Sequence, residues 1–243
     1  MKITGPLFKW FGSKWLSSKI LPIPKYDSII EPFAGGAGYS LRHFAKDVTI
    51  YEKNVHIYEL WEYLISAATY SDIREIPLNI PVGTDIRTIG LNKGQELLLK
   101  NWQRTNNVGE CWTISPWGNM PGQWTESTRA RISEEHSCIA HWDLGGKNGF
   151  HSFVEVVNNE VTWFIDPPYK YNYLYGDKAF DYQLMVNGID GVAGEIIVCE
   201  AICPKTNQMP NYLPFKFWAK RITSRRKVTE NHHSKELIYH RNS

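Results

Sequence analysis

Short, wholly apolar runs are spaced along this chain between longer segments of mixed polarity. The clearest is Val161 with Trp163-Phe164-Ile165, which predicts a buried strand. Asp166 stands at its carboxyl end, and Pro167-Pro168 then stop the sheet because neither can donate to a ladder. Tyr26 to Phe33 predicts an earlier strand with Ser28-Ile29-Ile30 at its centre. Val48 to Tyr51 predicts a second that ends at Glu52, and Cys138 to Leu144 a third. Glu195 to Glu200 reads as a fifth, and Leu213 to Trp218 and Glu236 to His240 as two more. Tyr39 to Phe44 suits a helix. Val55, Ile57, Tyr58, Trp61, Leu64 and Ile65 recur at helical spacing behind Asn54, a good N-cap. Leu97 to Trp102 and Thr128 to Glu135 also read as helices, and Phe150 to Val157 as a short helix or an irregular connection. Strands alternating with helices predict an α/β domain.

The alternation breaks between residues 71 and 137. Pro77, Pro81, Gly83, Gly90 and Gly94 interrupt the early part, and Asn, Gln, Arg and Trp are frequent later. The expected organisation is therefore a catalytic domain from residues 1–70 and 138–243 with a small inserted region at 71–137. Side chains of these types read base edges and stack on bases. Arg104, Trp117 and Arg129 are the candidates here. A polar insert that merely covers the site is the plainer alternative.

The 243 residues are enough to bury a full core. The formal charge of only +2 means that any nucleic-acid contact must come from local patches. Arg225, Arg226 and Lys227 belong to the densest basic run and are candidates for phosphate contact. The four cysteines show no metal spacing, and no His pair has helical metal-site spacing, so neither a metal nor a disulfide framework is expected. No apolar run approaches a membrane span and no signal-peptide pattern is present, which predicts a cytoplasmic protein.

Three stretches carry candidate chemistry. In open α/β sheets, ligands bind beyond the carboxyl ends of the strands. Glu31-Pro32-Phe33-Ala34-Gly35-Gly36-Ala37-Gly38 is a Gly-rich turn between a predicted strand and helix. Lacking the pattern of a pyrophosphate loop, it suits a ligand without phosphates. Glu52 follows at the spacing of a ribose-binding carboxylate. Asp166 and the Pro167 carbonyl can accept hydrogen bonds from an exocyclic amine while Tyr169 stacks on its ring. The aromatic-basic cluster from Leu7 to Trp15 offers a cofactor wall in Trp10 or Phe11, with Lys14 near a carboxylate. Lys170 to Asp181, with three Tyr, is a candidate lid.

Together these stretches resemble the adenine-N6 DNA methyltransferases of the Dam type, in particular small phage- or prophage-borne members. Phe8 to Lys14 is similar to the family's N-terminal cofactor motif, Glu31 to Gly38 to its S-adenosylmethionine loop, Asp166-Pro167-Pro168-Tyr169 to its catalytic signature, and Ser234-Lys235-Glu236-Leu237 to its closing strand. The resemblance implies a class I S-adenosylmethionine-dependent methyltransferase fold, with a mixed seven-stranded sheet containing one antiparallel strand. It also implies S-adenosyl-L-methionine as cofactor and duplex DNA as partner, with the target adenine flipped out. Trp10, Lys14, Glu31, Pro32, Phe33, Ala34, Gly35, Gly36, Gly38, Glu52 and Asp166 would line the cofactor site. Asp143, or alternatively Asn148, would contact the cofactor's adenine amine. Asp166 and Pro167 would hold N6, with Pro168 stiffening the turn and Tyr169 stacking on the base. Glu52 stands where many relatives have Asp, and the insert aligns with no known recognition domain. RNA or single-stranded substrates, and a non-catalytic DNA-binding protein that retains the fold, are the alternatives. No nuclease signature accompanies the motifs, so a free-standing modification enzyme is expected.

Overall fold

The computed structural model describes residues 2–103, 111–169, 180–201, 218–223 and 235–241. Its centre is one sheet built from β1 (Ser28–Glu31), β2 (Asp47–Tyr51), β3 (Asp143–Gly146), β4 (Val161–Ile165), β5 (Glu195–Ala201), β6 (Trp218–Thr223) and β7 (Lys235–Arg241). The strand order is β3-β2-β1-β4-β5-β7-β6. The first five strands run parallel, and β7 is antiparallel to both of its neighbours. The expected α/β architecture is therefore present.

Alternation along the strands divides the interior into two cores. Ile29, Val48, Ile50, Phe164 and Ile197 face one side, and Ile30, Val161, Trp163, Ile165 and Ile196 the other. Every residue of β4 is buried, as a central parallel strand covered on both faces should be. Its length and apolar content made it the most readable element.

The first face is covered by α1 (Val55–Glu62), α2 (Tyr70–Glu75), α3 (Lys93–Trp102) and α4 (Glu126–Glu135). The Asn54 side chain caps α1 by accepting from the amides of His56 and Ile57, as the sequence predicted. Reciprocal capping boxes start α2 at Thr69 and α3 at Asn92. The second face is covered by α5 (Gly149–Glu155) and α6 (Tyr182–Gly191). Phe153, Met185 and Ile189 fill that side. Helix α6 was not anticipated, because Gly188 and Gly191 weaken its pattern. Gly188 has a packing reason: a Cβ there would lie 2.5 Å from the Phe153 ring.

The described residues of 71–137 share the core of the sheet. Ile73, Ile86, Leu97, Leu98, Leu99, Trp124 and Ile132 belong to the same buried cluster as Ile29, Val48 and Phe164. The insert is a helical layer fused to the sheet. An N-terminal arm runs between the two. Leu7 and Phe8 are fully buried, with Phe8 edge-on to Trp61. The indole of Trp102 donates to the Leu7 carbonyl, and Arg131 donates to that of Pro6. The Thr4 amide donates to Glu135, and the Lys9 ammonium to the Gln123 side chain.

The predicted third strand is displaced. His136–Ile139 is a 3-10 turn and β3 begins only at Asp143. Among the described residues, no helix is long and apolar enough to cross a membrane and no group of acidic, His and Cys side chains has metal-site geometry. Of the candidate lid, Lys170 to Asp181, positions 170–179 lie outside the described residues, as do positions 104–110, 202–217 and 224–234.

Candidate active site

A pocket opens at the carboxyl ends of β1, β2 and β4, the position where a parallel sheet leaves a crevice. The arm from Trp10 to Lys14, the turn from Phe33 to Gly38, Glu52, and Asp166-Pro167-Pro168 all line it. The arm, the Gly-rich turn and Glu52 thus meet the Asp166 stretch, which lies 152 positions beyond Lys14, at one place.

The Gly-rich turn is shaped by the arm as much as by any ligand. A Cβ on Gly38 would lie 2.2 Å from the Trp15 backbone nitrogen, and one on Gly35 would lie 2.7 Å from the Trp10 indole. Gly35 also has φ of 49°, a conformation natural to glycine. The turn is pinned at its centre. The Ala34 amide donates to the Tyr51 carbonyl, and the Trp61 indole donates to the Gly35 carbonyl. Pro32 does not face the pocket. Its carbonyl packs on Gly149, where a Cβ would sit 1.8 Å away.

Glu52 is buried directly after β2. Its carboxylate accepts from the Gly35 and Asn54 amides, each at 2.7 Å. Burial raises its pKa, while the amide hydrogen bonds oppose the rise. An oriented carboxylate at a pocket wall suits a pair of neighbouring hydroxyls. Beside it, Phe33, Phe150 and Phe180 form a three-ring cluster with centroids 5.2–5.6 Å apart. All three line the pocket, offering flat apolar surface next to the Glu52 carboxylate. Phe150 and Phe180 were missed in the sequence, where nothing local separates them from ordinary core aromatics.

Asp143 requires correction. It is exposed and pairs with Thr49, in the middle of β2, so it lies away from the strands' carboxyl ends. The later start of β3 carries Asn148, the alternative, into the pocket lining. The Asn148 side-chain oxygen accepts from the Phe150 amide and caps α5.

At the other end of the pocket, the Lys14 ammonium lies 2.6 Å from Asp166 Oδ2 and donates to the Gly12 carbonyl. The same ammonium sits 4.9 Å from the centre of the Tyr169 ring. The carboxylate near Lys14 is thus Asp166, at the head of the Asp-Pro-Pro-Tyr stretch. The Tyr182 hydroxyl donates to the Pro168 carbonyl at 2.6 Å, so the first residue of α6 fixes the Pro-Pro turn. Glu31 lies fully buried behind this pair and accepts from the Ser40 amide. Burial pushes its carboxyl up to about 8, with Asp166 adding to the rise and Lys14 opposing it.

The candidates for nucleic-acid contact divide. Trp117 is exposed on a turn of the insert. Arg129 is a correction: it is largely buried, pairs with Glu126 and donates to the Ile76 carbonyl, so its donors hold the insert together. Arg104, Arg225, Arg226 and Lys227 lie outside the described residues.

No family model and no curated protein matches this chain. Among solved structures, one described as a conserved hypothetical protein from Streptococcus pyogenes aligns at 12% identity with a TM-score of 0.37. That alignment covers 88% of this chain and 86% of the other.

Proposed function

We propose that this protein is a class I methyltransferase that transfers a methyl group from S-adenosylmethionine to N6 of adenine in duplex DNA. One observation carries the reading. A single pocket joins a diol-suited carboxylate and flat aromatic walls at one end to Asp166-Pro167 at the other. The single antiparallel strand β7 in a parallel sheet supports the methyltransferase class.

The residues present fit the cofactor. Glu52 would take the ribose hydroxyls, and the Phe33, Phe150 and Phe180 rings would hold the adenine. Asn148, which lines the same pocket, would contact the adenine edge, and Lys14 would neutralise the amino-acid carboxylate. When bound, S-adenosylmethionine supplies an electrophilic methyl group on a sulfonium.

This chain's own residues then orient the acceptor. A carboxylate offers about four lone-pair positions, so Asp166 can hold an amine while Lys14 occupies one oxygen. The Pro167 carbonyl provides a second acceptor on a turn that cannot relax, because Tyr182 and two fixed proline rings hold it. Two acceptors draw the N6 hydrogens out of the ring plane and turn the nitrogen lone pair toward the methyl. Tyr169, beneath the Lys14 ammonium, supplies the stacking face. Positioning and electrostatics supply the rate enhancement with no covalent enzyme intermediate.

The test incubates the protein with methyl-labelled S-adenosylmethionine and unmethylated genomic DNA and separates the nucleosides. Label in N6-methyladenine is the expected result. Label in RNA alone, or in a cytosine product, would overturn the reading.

A further inference from the structure

Two exposed apolar patches sit on opposite faces of the sheet, and the charges beside them differ in sign. The first belongs to residues 16–23, which pack beside the 3-10 turn Ser40–His43 on the first face, with Leu21, Tyr39 and Leu41 in the core. Arg42 Nε donates to the Trp15 carbonyl at 2.9 Å while the guanidinium lies 4.2 Å from the centre of the Trp15 ring. The Tyr39 hydroxyl donates to the Pro22 carbonyl, also at 2.9 Å. Along this tethered stretch Leu16, Ile20 and Ile23 stand in solvent, Ile23 at 79% exposure. Lys19 is exposed among them and has no partner among the described residues. The two terminal nitrogens of Arg42 make no hydrogen bond among those residues either. No acidic residue precedes Asp27 in the chain, and Asp27 is tied to Lys46. Burial, Lys46 and Arg42 hold the His43 pKa below its ordinary value, as a locally positive field does.

The second patch lies on the other face, at the end of α5. Phe153 and Val156 pack inward, Phe153 against Gly188 of α6. Val154 and Val157 are 82% and 88% exposed, and Leu184 is exposed on α6. Glu155 is exposed between the two valines; it accepts from the Tyr51 hydroxyl at 3.2 Å, and His151 Nδ1 lies 4.0 Å away. Glu160 is exposed, and its carboxylate has no partner among the described residues. No Lys or Arg occurs between Lys147 and Lys170.

Clustered exposed aliphatic side chains with a polar rim mark interaction surfaces. Here one chain carries both halves of a complementary pair, apolar with basic and apolar with acidic. It cannot join them itself, because the sheet stands between them. We propose that the patch of Leu16, Ile20 and Ile23 docks on the patch of Val154 and Val157 in a second copy of this chain, with Lys19 and Arg42 facing Glu155 and Glu160. The two surfaces differ, so the contact is heterologous and adds copies head to tail, into a ring or an open chain. Opposite signs favour this pairing over contact of either patch with itself. None of these residues lines the pocket, and the inference is independent of the methyltransferase reading.

Sedimentation velocity of the full chain is the test. Patches of this size support weak association, so the wild type is read up to about 100 µM. Dimers and larger species should appear there, and should diminish as salt rises from about 0.05 to about 0.5 M. Ile20→Gln/Ile23→Gln strips the apolar anchors from one patch and Val154→Gln/Val157→Gln from the other. All four positions are exposed, so both variants should fold. Each alone should sediment as a monomer. Their equal mixture should give a dimer and nothing larger, because one intact patch remains on each partner. A monomeric wild type, association that salt does not weaken, association of either variant alone, or a monomeric mixture would overturn the proposal. A wild type that stays monomeric but binds vesicles of anionic lipid would replace the second copy with a membrane surface.

Discussion

Lys14 and Asp166 lie 152 positions apart in the chain, and their charged groups meet at 2.6 Å with the lysine almost wholly buried. The ion pair ties the N-terminal arm to the end of β4. Holding this contact fixes the position of the acceptor carboxylate, and losing it would release the arm. It also means that no substitution at Asp166 is purely chemical.

Two substitutions separate the effects. Asp166→Ala leaves the Lys14 ammonium buried without its anion, and should cost about 3–5 kcal/mol of stability in urea unfolding. Asp166→Asn keeps an acceptor oxygen, so the protein should stay folded with cofactor affinity within a few fold. Its single-turnover methyl transfer should fall by about 100-fold or more, because the acceptor loses its charge. Full activity in the Asn variant would show that Asp166 does not hold the amine.

Glu31 makes stability depend on pH. Below about 4.5, its ordinary value, both folded and unfolded chains carry the proton and its burial adds no pH-dependent cost. Between there and about 8, the unfolded chain sheds the proton and the folded chain keeps it. This group's contribution therefore falls by about 1.4 kcal/mol per pH unit over that window and levels off above it. Glu31→Gln preserves an acceptor for the Ser40 amide and cannot ionise. Relative to wild type, it should gain stability progressively from pH 5 to pH 8 and show no such gain at pH 4, as read by chemical unfolding.

Gly38→Ala places a methyl group against the Trp15 backbone, which has no side-chain end to swing away. The turn or the arm must move. Cofactor binding by calorimetry should fall at least tenfold, and the midpoint of thermal unfolding should drop by several degrees. Gly83→Ala is a useful contrast. It has positive φ but open space around it, so it should cost only about 1 kcal/mol and leave binding intact.

Glu52→Ala removes the acceptor shared by the Gly35 and Asn54 amides. It should weaken S-adenosylmethionine binding at least tenfold. Calorimetry at saturating protein checks this, and undiminished affinity would argue for a different ligand. Adenosine and S-adenosylhomocysteine, which keep the ribose, should suffer similar losses.

Much of this site was legible because its chemistry sits at strand ends. The apolar run of β4 and the Pro-Pro stop locate Asp166 without tertiary information, and Asn54 marks the start of α1 by its capping chemistry. Asp143 failed because local polarity gives no reason for Cys138 to Trp142 to leave the sheet. A short edge strand of Asp-Leu-Gly-Gly carries almost no β signal. The insert was read from composition as separate. Composition reveals which residues are apolar, not which surface they bury against, and Leu97, Leu98 and Leu99 bury against the sheet's own layer. The Lys14–Asp166 pair, the ring cluster of Phe33, Phe150 and Phe180, and the grip of Tyr182 on Pro168 all depend on distant segments meeting in space.

The arm's partners also impose an order on assembly at the ribosome. Thr4 is held by a residue 131 positions later, and Lys14 by one later still. Nascent chain emerging from the exit tunnel therefore carries this arm only partly anchored, by the Gly-rich turn, α1 and α3, until α4 and then β4 have been synthesised. This wall of the pocket is translated before its later anchors and is fixed in place only after them. Codon usage or pausing upstream of β4 would lengthen its exposure to chaperones, whereas the strands beyond β4 arrive after the arm's anchors have been made.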